Sequence, residues 1–295
     1  GGWTSDAFEP EVRGGLLYGR GAVDMKGGIA AFVAACAEVP EHEGTLSFII
    51  TGDEEGPATY GTPKLIEWME ERGIRPDMIL IGEPTSVDRL GDTVKIGRRG
   101  SANMWINIPG HQGHVAYPHR ADNPIPKLAR VIAALDALHL DDGSDAFQPS
   151  NLEFTAAGTP TKATNVIPGC ATAQLNIRFN NLHRGDELVA LVRRTVEEAA
   201  PGATVEAKLS GEAFLTPPGP LYDIITEAIR AETGVEPELS TSGGTSDGRY
   251  LIKLCPVVDF GLPNATMHKL DEAAAVEDIR LLQRIYARVL RSALG

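Results

Sequence analysis

Residues 45–56 have the sequence Thr-Leu-Ser-Phe-Ile-Ile-Thr-Gly-Asp-Glu-Glu-Gly, in which a largely apolar run ends in three consecutive acidic residues. The apolar run predicts a buried strand over residues 45–51. Helical patterns flank it at residues 26–39 and 63–72, and a second strand is predicted at residues 78–81. This alternation of strands and helices is typical of a parallel sheet that is covered by helices.

The middle of the chain has a different order of elements. We predict the order β-α-β-β-α-β, with the elements at residues 94–108, 124–140, 152–156, 171–179, 186–199 and 204–209. Alternation resumes after a proline-rich joint at residues 216–220. The predicted fold class is therefore α/β, with a mixed, largely parallel sheet covered by helices (residues 1–100 and 213–295) and an inserted two-layer α+β domain (residues 101–212).

Composition and charge exclude several classes of function. The 295 residues, of which 42% are hydrophobic, suffice for a buried core, and no apolar run is long enough for a membrane span. A net charge of -13 opposes a nucleic-acid partner. We therefore expect neither a nucleic acid nor a membrane as a partner, and, without a secretory signal pattern, a cytoplasmic location. Cys36, Cys170 and Cys255 are far apart among apolar neighbours, which favours buried thiols.

Acidic residues occur at several predicted junctions between strands and loops. Glu54 and Glu55 follow the strand predicted at residues 45–51, Glu83 follows residues 78–81, and Asp24 lies at a further junction. Because the carboxyl ends of parallel strands meet at one edge of a sheet, we expect these carboxylates to share that edge. Any one of them alone would be a solvated loop residue. Together they would repel one another unless a cation neutralised them, which favours a metal site.

A histidine can complete that metal site. His268 follows the apolar strand predicted at residues 257–260, at the same edge of the sheet. Alone it would be an ordinary surface histidine. A set of carboxylates and one imidazole suits zinc, which accepts both kinds of donor and keeps a position open for water.

Six motifs carry a resemblance to a known family. They are Gly-Arg-Gly-Ala-Val-Asp-Met-Lys-Gly (19–27), Gly-Asp-Glu-Glu-Gly (52–56), Ile-Gly-Glu-Pro-Thr (81–85), Gly-Arg-Arg-Gly-Ser (97–101), Gly-His-Val-Ala-Tyr-Pro-His (113–119) and Gly-Gly-Thr-Ser-Asp-Gly-Arg (243–249). With them the chain resembles, over nearly its whole length, the dinuclear zinc aminoacylase and carboxypeptidase family. Within that family it is most similar to the desuccinylase branch. The resemblance implies hydrolysis of the amide bond of N-succinyl-L,L-diaminopimelate, in diaminopimelate and lysine biosynthesis.

The resemblance also implies a role for each acidic residue and for His268. Asp24 would bridge two zinc ions, Glu83 would complete one of them, and Glu55 with His268 would complete the other. Cobalt can take the place of zinc in one site. Glu54 would be the general base, because a carboxylate beside metal-bound water can take its proton and pass it to the leaving amine.

Further roles are implied for the inserted domain and its surroundings. His114 would reach the active site of a partner subunit and help to hold the oxyanion, which implies an obligate homodimer formed through the inserted domain. His111 and His119 are better interpreted as turn residues. The substrate would be bound by Arg98, Tyr117, Asn165, Arg178, Gly244, Thr245, Ser246 and Asn264. Arginine suits a carboxylate because its planar fork binds both oxygens, although Arg178 fits a structural ion pair about equally well.

A serine hydrolase, which uses a different mechanism, is the main alternative to a zinc hydrolase. Residues 244–248 fit the Gly-x-Ser-x-Gly pattern, and Asp259 and His268 follow in the order that such a triad needs. The pattern requires a strand before the serine and a helix after it, but residues 237–243 form only a weak strand pattern. Phenylmethanesulfonyl fluoride would inactivate a serine enzyme and a chelator a zinc enzyme. Within the family, N-acetylornithine and dipeptides are the alternative substrates.

One expected ligand is missing from the sequence. The family places a histidine ligand, with an aspartate that orients it, before the position of Trp3. We therefore expect the natural protein to continue upstream, with a central strand in the added segment, and to bind two zinc ions. Residues 1–295 alone should be nearly inactive and bind at most one zinc ion tightly. An inactive homologue that only binds its ligand is the alternative.

Overall fold

The computed structural model describes residues 2–52, 54–56 and 58–295. The strands are β1 (Glu11–Arg13), β2 (Leu16–Tyr18), β3 (Ile79–Ile81), β4 (Thr93–Lys95), β5 (Gly97–Arg98), β6 (Gly100–Pro109), β7 (Gly113–His114), β8 (Asn151–Gly158), β9 (Val166–Ile167), β10 (Cys170–Phe179), β11 (Thr204–Gly211), β12 (Phe214–Leu215), β13 (Glu238–Ser240), β14 (Val257–Asp259) and β15 (Ala273–Ala275). The α-helices are α1 (Lys26–Ala37), α2 (Thr62–Glu71), α3 (Pro124–Asp136), α4 (Gly185–Ala199), α5 (Pro220–Thr233), α6 (Gly248–Leu251) and α7 (Val276–Leu294), and a short 3₁₀ helix spans Pro118–Arg120.

The chain folds into two compact units. The first unit consists of Gly1–Gly97, Leu215–Thr241 and Ser246–Gly295, and the second of Arg98–Phe214 with Ser242–Thr245. Among the helices in the described residues, none combines the length and the apolar composition that a membrane crossing requires.

The first unit is built on a mixed four-stranded sheet of order β13-β4-β14-β3. β13 runs parallel to β4 and β14 runs parallel to β3, whereas β14 and β4 are antiparallel. A second, antiparallel sheet has the order β1-β2-β15. The predicted mixed α/β fold is thus confirmed.

Helices α1, α5 and α7 contribute apolar faces to the core of the first unit. The buried residues of α7 include Leu282, Ile285, Tyr286 and Val289, which follow the spacing i, i+3, i+4, i+7 of one helical face. In α1 the backbone itself comes close to the sheet, because a Cβ on Gly28 would lie 2.6 Å from the carbonyl oxygen of Gly82. Only glycine fits at that contact.

Residues 45–51 do not form the strand predicted for them. They pair with no strand among the described residues, and Phe48 and Ile50 are 46% and 62% exposed. Leu46 still packs against the core, and the ring of Phe48 meets that of Phe32 edge to face at 5.5 Å. The prediction was wrong because an apolar run indicates a tendency to be buried, whereas a strand also requires a neighbour to accept its backbone hydrogen bonds.

The second unit is a two-layer α+β structure. Its antiparallel sheet has the order β11-β6-β10-β8, and α3 and α4 pack on one face. Inward residues alternate along β6, where Ala102, Met104, Ile106 and Ile108 are almost fully buried. The main elements follow the predicted order β-α-β-β-α-β, with the short strands β7 and β9 added. Helix α3 ends at Asp136, four residues before the predicted end.

Candidate functional site

Asp24 lies on the loop that joins β2 to α1. The backbone of this loop is held by the carboxylate of Glu272, which accepts hydrogen bonds from the N–H groups of Gly21, Val23 and Asp24. The side chain of Asp24 is largely buried, with 10% exposed. Its position is therefore fixed by backbone contacts before any ligand is considered.

His268 lies on the loop between β14 and β15. Its φ of +60° is in the left-handed region, which non-glycine residues adopt only where the surroundings hold them there. The loop is closed by Thr266, whose Oγ1 donates to the carbonyl oxygen of Ala273 and accepts from its N–H. The imidazole Nε2 lies 3.0 Å from Oδ2 of Asp24 and 2.8 Å from Oε1 of Glu55.

Asp24, Glu55 and His268 form a cluster that can hold a metal ion. Each offers one ligand atom, and these atoms lie within 4.8 Å of one another. Two carboxylates and an imidazole suit zinc, with one tetrahedral position left open. Glu55 itself is exposed, so the cluster is accessible from solvent.

The electrostatics of the cluster are those of crowded acids around one histidine. Burial, followed by the charge of Glu55, raises the pKa of Asp24, and the charge of His268 and a hydrogen bond with Glu83 oppose this. Glu83, which follows β3, is therefore close enough to influence Asp24. The hydrogen bond with Glu55 raises the pKa of His268, against the effect of burial. The described residues thus bring three of the four predicted metal ligands into one cluster, and Glu83 acts on the Asp24 carboxyl from nearby.

Glu54 lies beside the cluster, in the turn at residues 54–56. Its neighbour Asp53 lies outside the described residues. Burial, followed by the charges of Asp247 and Glu55, raises the pKa of Glu54 to about 7. A carboxyl group with a pKa near neutrality is suited to general acid–base chemistry. The buried Asp247 is held in turn by the hydroxyl of Thr62, which donates to its Oδ2 at 2.5 Å.

Two residues of this region were not singled out from the sequence. Asp247 belongs to the quoted motif at residues 243–249, but no role was assigned to it. Glu272 was missed altogether. Its position four residues after His268, in the same loop, was the feature of the sequence that could have indicated it.

The serine-hydrolase alternative does not fit these positions. Ser246 is buried, and its hydroxyl oxygen accepts a hydrogen bond from the N–H of Gly248. Nε2 of His268, which would have to contact the serine, lies between Asp24 and Glu55 instead. The segment that precedes Ser246 from residue 241 is not a strand.

His114, Tyr117 and Asn165 lie on the surface of the second unit. His114 ends β7, and its Nδ1 accepts a hydrogen bond from the N–H of Ala116. Its ring centroid is 6.0 Å from that of Tyr117, which is also exposed. The backbone carbonyl of Asn165 accepts from the N–H of Val115, so the three predicted site residues belong to one local structure.

The second unit also brings arginines together. Arg98 is buried and donates from Nη1 to the carbonyl oxygen of Gly244, next to Thr245. Burial lowers the pKa of Arg178, and burial together with the charge of Arg178 lowers the pKa of Arg99. The buried Nη1 of Arg178 has no hydrogen-bond partner within residues 2–52, 54–56 and 58–295. The structural ion pair considered for Arg178 does not form among those residues.

Ser246 and Asn264 belong to the first unit. The N–H of Asn264 donates to the carbonyl oxygen of Ser86, and its own carbonyl oxygen accepts from the N–H of Met267. Asn264 therefore helps to fix the start of the loop that carries His268.

Comparisons with known proteins give consistent results. The profile of peptidase family M20/M25/M40 matches residues 1–292. The chain is 65% identical over 289 residues to a succinyl-diaminopimelate desuccinylase of Sphingopyxis alaskensis, covering 98% of this chain and 77% of that protein. It is 62% identical over 294 residues to the protein of the same name from Zymomonas mobilis, covering 100% and 78%.

Solved structures show a similar fold at low sequence identity. An aminopeptidase PepT from Bacillus cereus matches with a TM-score of 0.77 at 20% identity, over 97% of this chain and 76% of that one. A metallo-carboxypeptidase from Sulfolobus solfataricus matches with a TM-score of 0.76 at 16% identity, over 98% and 80%. At these identities the likeness concerns the fold alone.

Proposed function

Because the chain belongs to peptidase family M20/M25/M40, a family of metal-dependent hydrolases, we propose that it is a succinyl-diaminopimelate desuccinylase. In this reaction water adds to the amide carbonyl of N-succinyl-L,L-diaminopimelate and the C–N bond breaks, which releases succinate and L,L-diaminopimelate. The observation that carries the proposal is the convergence of Asp24, Glu55 and His268, with Glu54 beside them, in a chain 65% identical to a desuccinylase.

The metal of this proposal is zinc. Asp24, Glu55 and His268 would hold one ion, and Glu83, which influences Asp24, would together with Asp24 serve a second ion. Cobalt is the expected substitute in one site. When bound, zinc polarises the amide carbonyl and lowers the pKa of coordinated water.

Glu54 is the proposed proton carrier. Its carboxylate would take a proton from the attacking water and deliver it to the amine nitrogen as the C–N bond breaks. Its pKa of about 7 supports this role, because both protonation states are then accessible near neutrality.

The residues predicted to bind the substrate supply its proposed recognition. The succinyl and diaminopimelate groups carry carboxylates, and Arg178 has a buried Nη1 without a described partner. We assign carboxylate binding to Arg178 and Arg98, and contacts with the rest of the substrate to Tyr117, Asn165, Gly244, Thr245, Ser246 and Asn264. His114 would act on the active site of the partner subunit in a homodimer.

The test compares substrates and inhibitors on the natural protein. With zinc present, we expect N-succinyl-L,L-diaminopimelate to be hydrolysed much faster than N-acetylornithine or a dipeptide, measured by release of the free amine. A chelator should abolish the activity, and phenylmethanesulfonyl fluoride should leave it unchanged. Faster hydrolysis of N-acetylornithine, or activity that survives metal removal, would refute the proposal.

A further inference from the structure

Glu272 makes an unusually complete set of contacts for a residue with no assigned role. Its side chain is 1% exposed. Oε1 accepts from the N–H groups of Val23 at 2.9 Å and Asp24 at 3.0 Å, and Oε2 accepts from the N–H of Gly21 at 3.0 Å and from Nη1 of Arg20 at 2.9 Å. These four hydrogen bonds use the acceptor sites that a carboxylate offers.

The charge of Glu272 is balanced by Arg20, which lies on the loop of Asp24. Arg20, which forms an ion pair with it, is itself stacked over the ring of Trp3, with the guanidinium carbon 5.0 Å from the ring centroid. The buried carboxylate therefore has a counterion and does not depend on a metal ion for its own neutralisation.

Glu272 connects two loops that each carry a ligand. It lies on the loop of His268, which the contacts between Thr266 and Ala273 close, and its hydrogen bonds end on the loop of Asp24. One of those bonds is to the backbone N–H of Asp24 itself. The position of the Asp24 side chain relative to His268 thus follows from the position of the Glu272 carboxylate.

From these contacts we propose that Glu272 is a positioning residue of the metal centre. It holds Oδ2 of Asp24 and Nε2 of His268 at their separation of 3.0 Å, although it touches neither atom itself. The inference rests on the proposed function, since it presumes that these two residues bind zinc. Ligands that are held in place before the metal arrives bind it more tightly, because less of their freedom is lost on binding.

The informative variant is Glu272→Gln. An amide keeps the size of the side chain but has one acceptor oxygen, and its NH₂ group would face two of the N–H or guanidinium donors. We expect zinc affinity to fall by about 10- to 100-fold, the range seen when outer contacts of metal ligands are lost. Glu272→Asp keeps the charge but cannot reach both pairs of donors, so it should weaken zinc binding in the same direction.

A matched control separates positioning from general destabilisation. Asp141 of the second unit is also a carboxylate with many donors, since it accepts from the N–H groups of Gly143 and Ser150, from the amide of Asn180 and from His183. Asp141→Asn should therefore lower stability without lowering zinc affinity.

The experiment measures zinc binding by competition with a chromophoric chelator, together with the visible absorption spectrum of the cobalt-loaded protein, in wild type and the three variants. Circular dichroism identifies the variants that are folded. We expect weaker zinc binding and an altered cobalt spectrum for the Glu272 variants alone. Wild-type affinity and spectrum in a folded Glu272 variant, or an equal loss of affinity in Asp141→Asn, would overturn the inference. A wild-type protein that binds no zinc would instead overturn the proposed function, and this inference with it.

Discussion

Replacement of Asp141 by asparagine gives a stability change whose size and pH dependence both follow from the structure. Burial alone would raise the pKa of Asp141, but hydrogen bonds from Ser150, Gly143 and Asn180 outweigh it and lower the pKa to about 2, from the ordinary 3.8. A pKa that is lowered by folding stabilises the folded state wherever the group is ionised. The difference corresponds to about 2 kcal/mol at neutral pH, which Asp141→Asn should remove.

The sign of the pH dependence is fixed by the direction of this shift. Because the folded state has the lower pKa, the contribution of Asp141 is complete above the unfolded pKa of 3.8 and is lost as the pH falls toward 2. The gap in unfolding free energy between wild type and variant should therefore be constant near neutrality and shrink to about half by about pH 3.

The assay can be restricted to the second unit. Of the three tryptophans, Trp3 and Trp68 lie in the first unit and Trp105 in the second. Urea denaturation followed by Trp105 fluorescence, with Trp3 and Trp68 replaced by phenylalanine, reports on the unit that contains Asp141. The neighbouring Asp142, whose side chain is 94% exposed, provides the control Asp142→Asn, which should change little. A gap of the same size at neutral pH and near pH 3 would refute the assignment to the carboxylate charge.

Three further predictions concern the first unit. Glu54→Gln should lower the rate of amide hydrolysis by about 10²- to 10⁴-fold and leave zinc affinity unchanged, because Glu54 is a proton carrier and not a ligand; loss of zinc in that variant would contradict this. Zinc at a hundredfold excess over its Kd should raise the unfolding free energy of wild type by about 3 kcal/mol, measured by thermal denaturation. His268→Ala should abolish this stabilisation. If zinc raised the Tm of that variant as much as it raises the Tm of wild type, His268 would be excluded as a ligand. Gly28→Ala should lower the free energy of unfolding by about 1–3 kcal/mol, measured by urea denaturation, because the added Cβ would press on the carbonyl oxygen of Gly82. In the control Gly158→Ala the added Cβ meets nothing within 4 Å, so the free energy of unfolding should hardly change.

Periodicity predicted most of the fold. The second unit was the most predictable part, because its strands alternate buried and exposed residues over long stretches such as β6 and β10. The end of α3 was missed because apolar residues continue past Asp136 to Leu140. What stops the helix there lies elsewhere in the chain, since Asp141 is held by Ser150 and Asn180 in a non-helical loop.

The convergence of the acids with His268 was predictable, because strand ends carry functional groups to one edge of a parallel sheet. That reasoning used a strand at residues 45–51 which the structure does not contain, yet Glu55 still reaches His268. Glu272 could not be found in this way. It acts on backbone N–H groups, which every sequence has, and the adjacent Asp271-Glu272 pair has the composition of an ordinary solvated loop.

The hydrogen bond from the N–H of Asp24 to Glu272 joins residues that are 248 positions apart, and the contact of Asp24 with His268 spans 244. Contacts of such long sequence separation carry the entropic cost of closing a long loop. The three-residue cluster therefore requires residues from both ends of the chain. During synthesis, a growing chain exposes Asp24 and Glu55 long before His268 leaves the ribosome, so it cannot form this three-ligand site prematurely. A metal ion that requires all three ligands could therefore bind only after His268 has been synthesised.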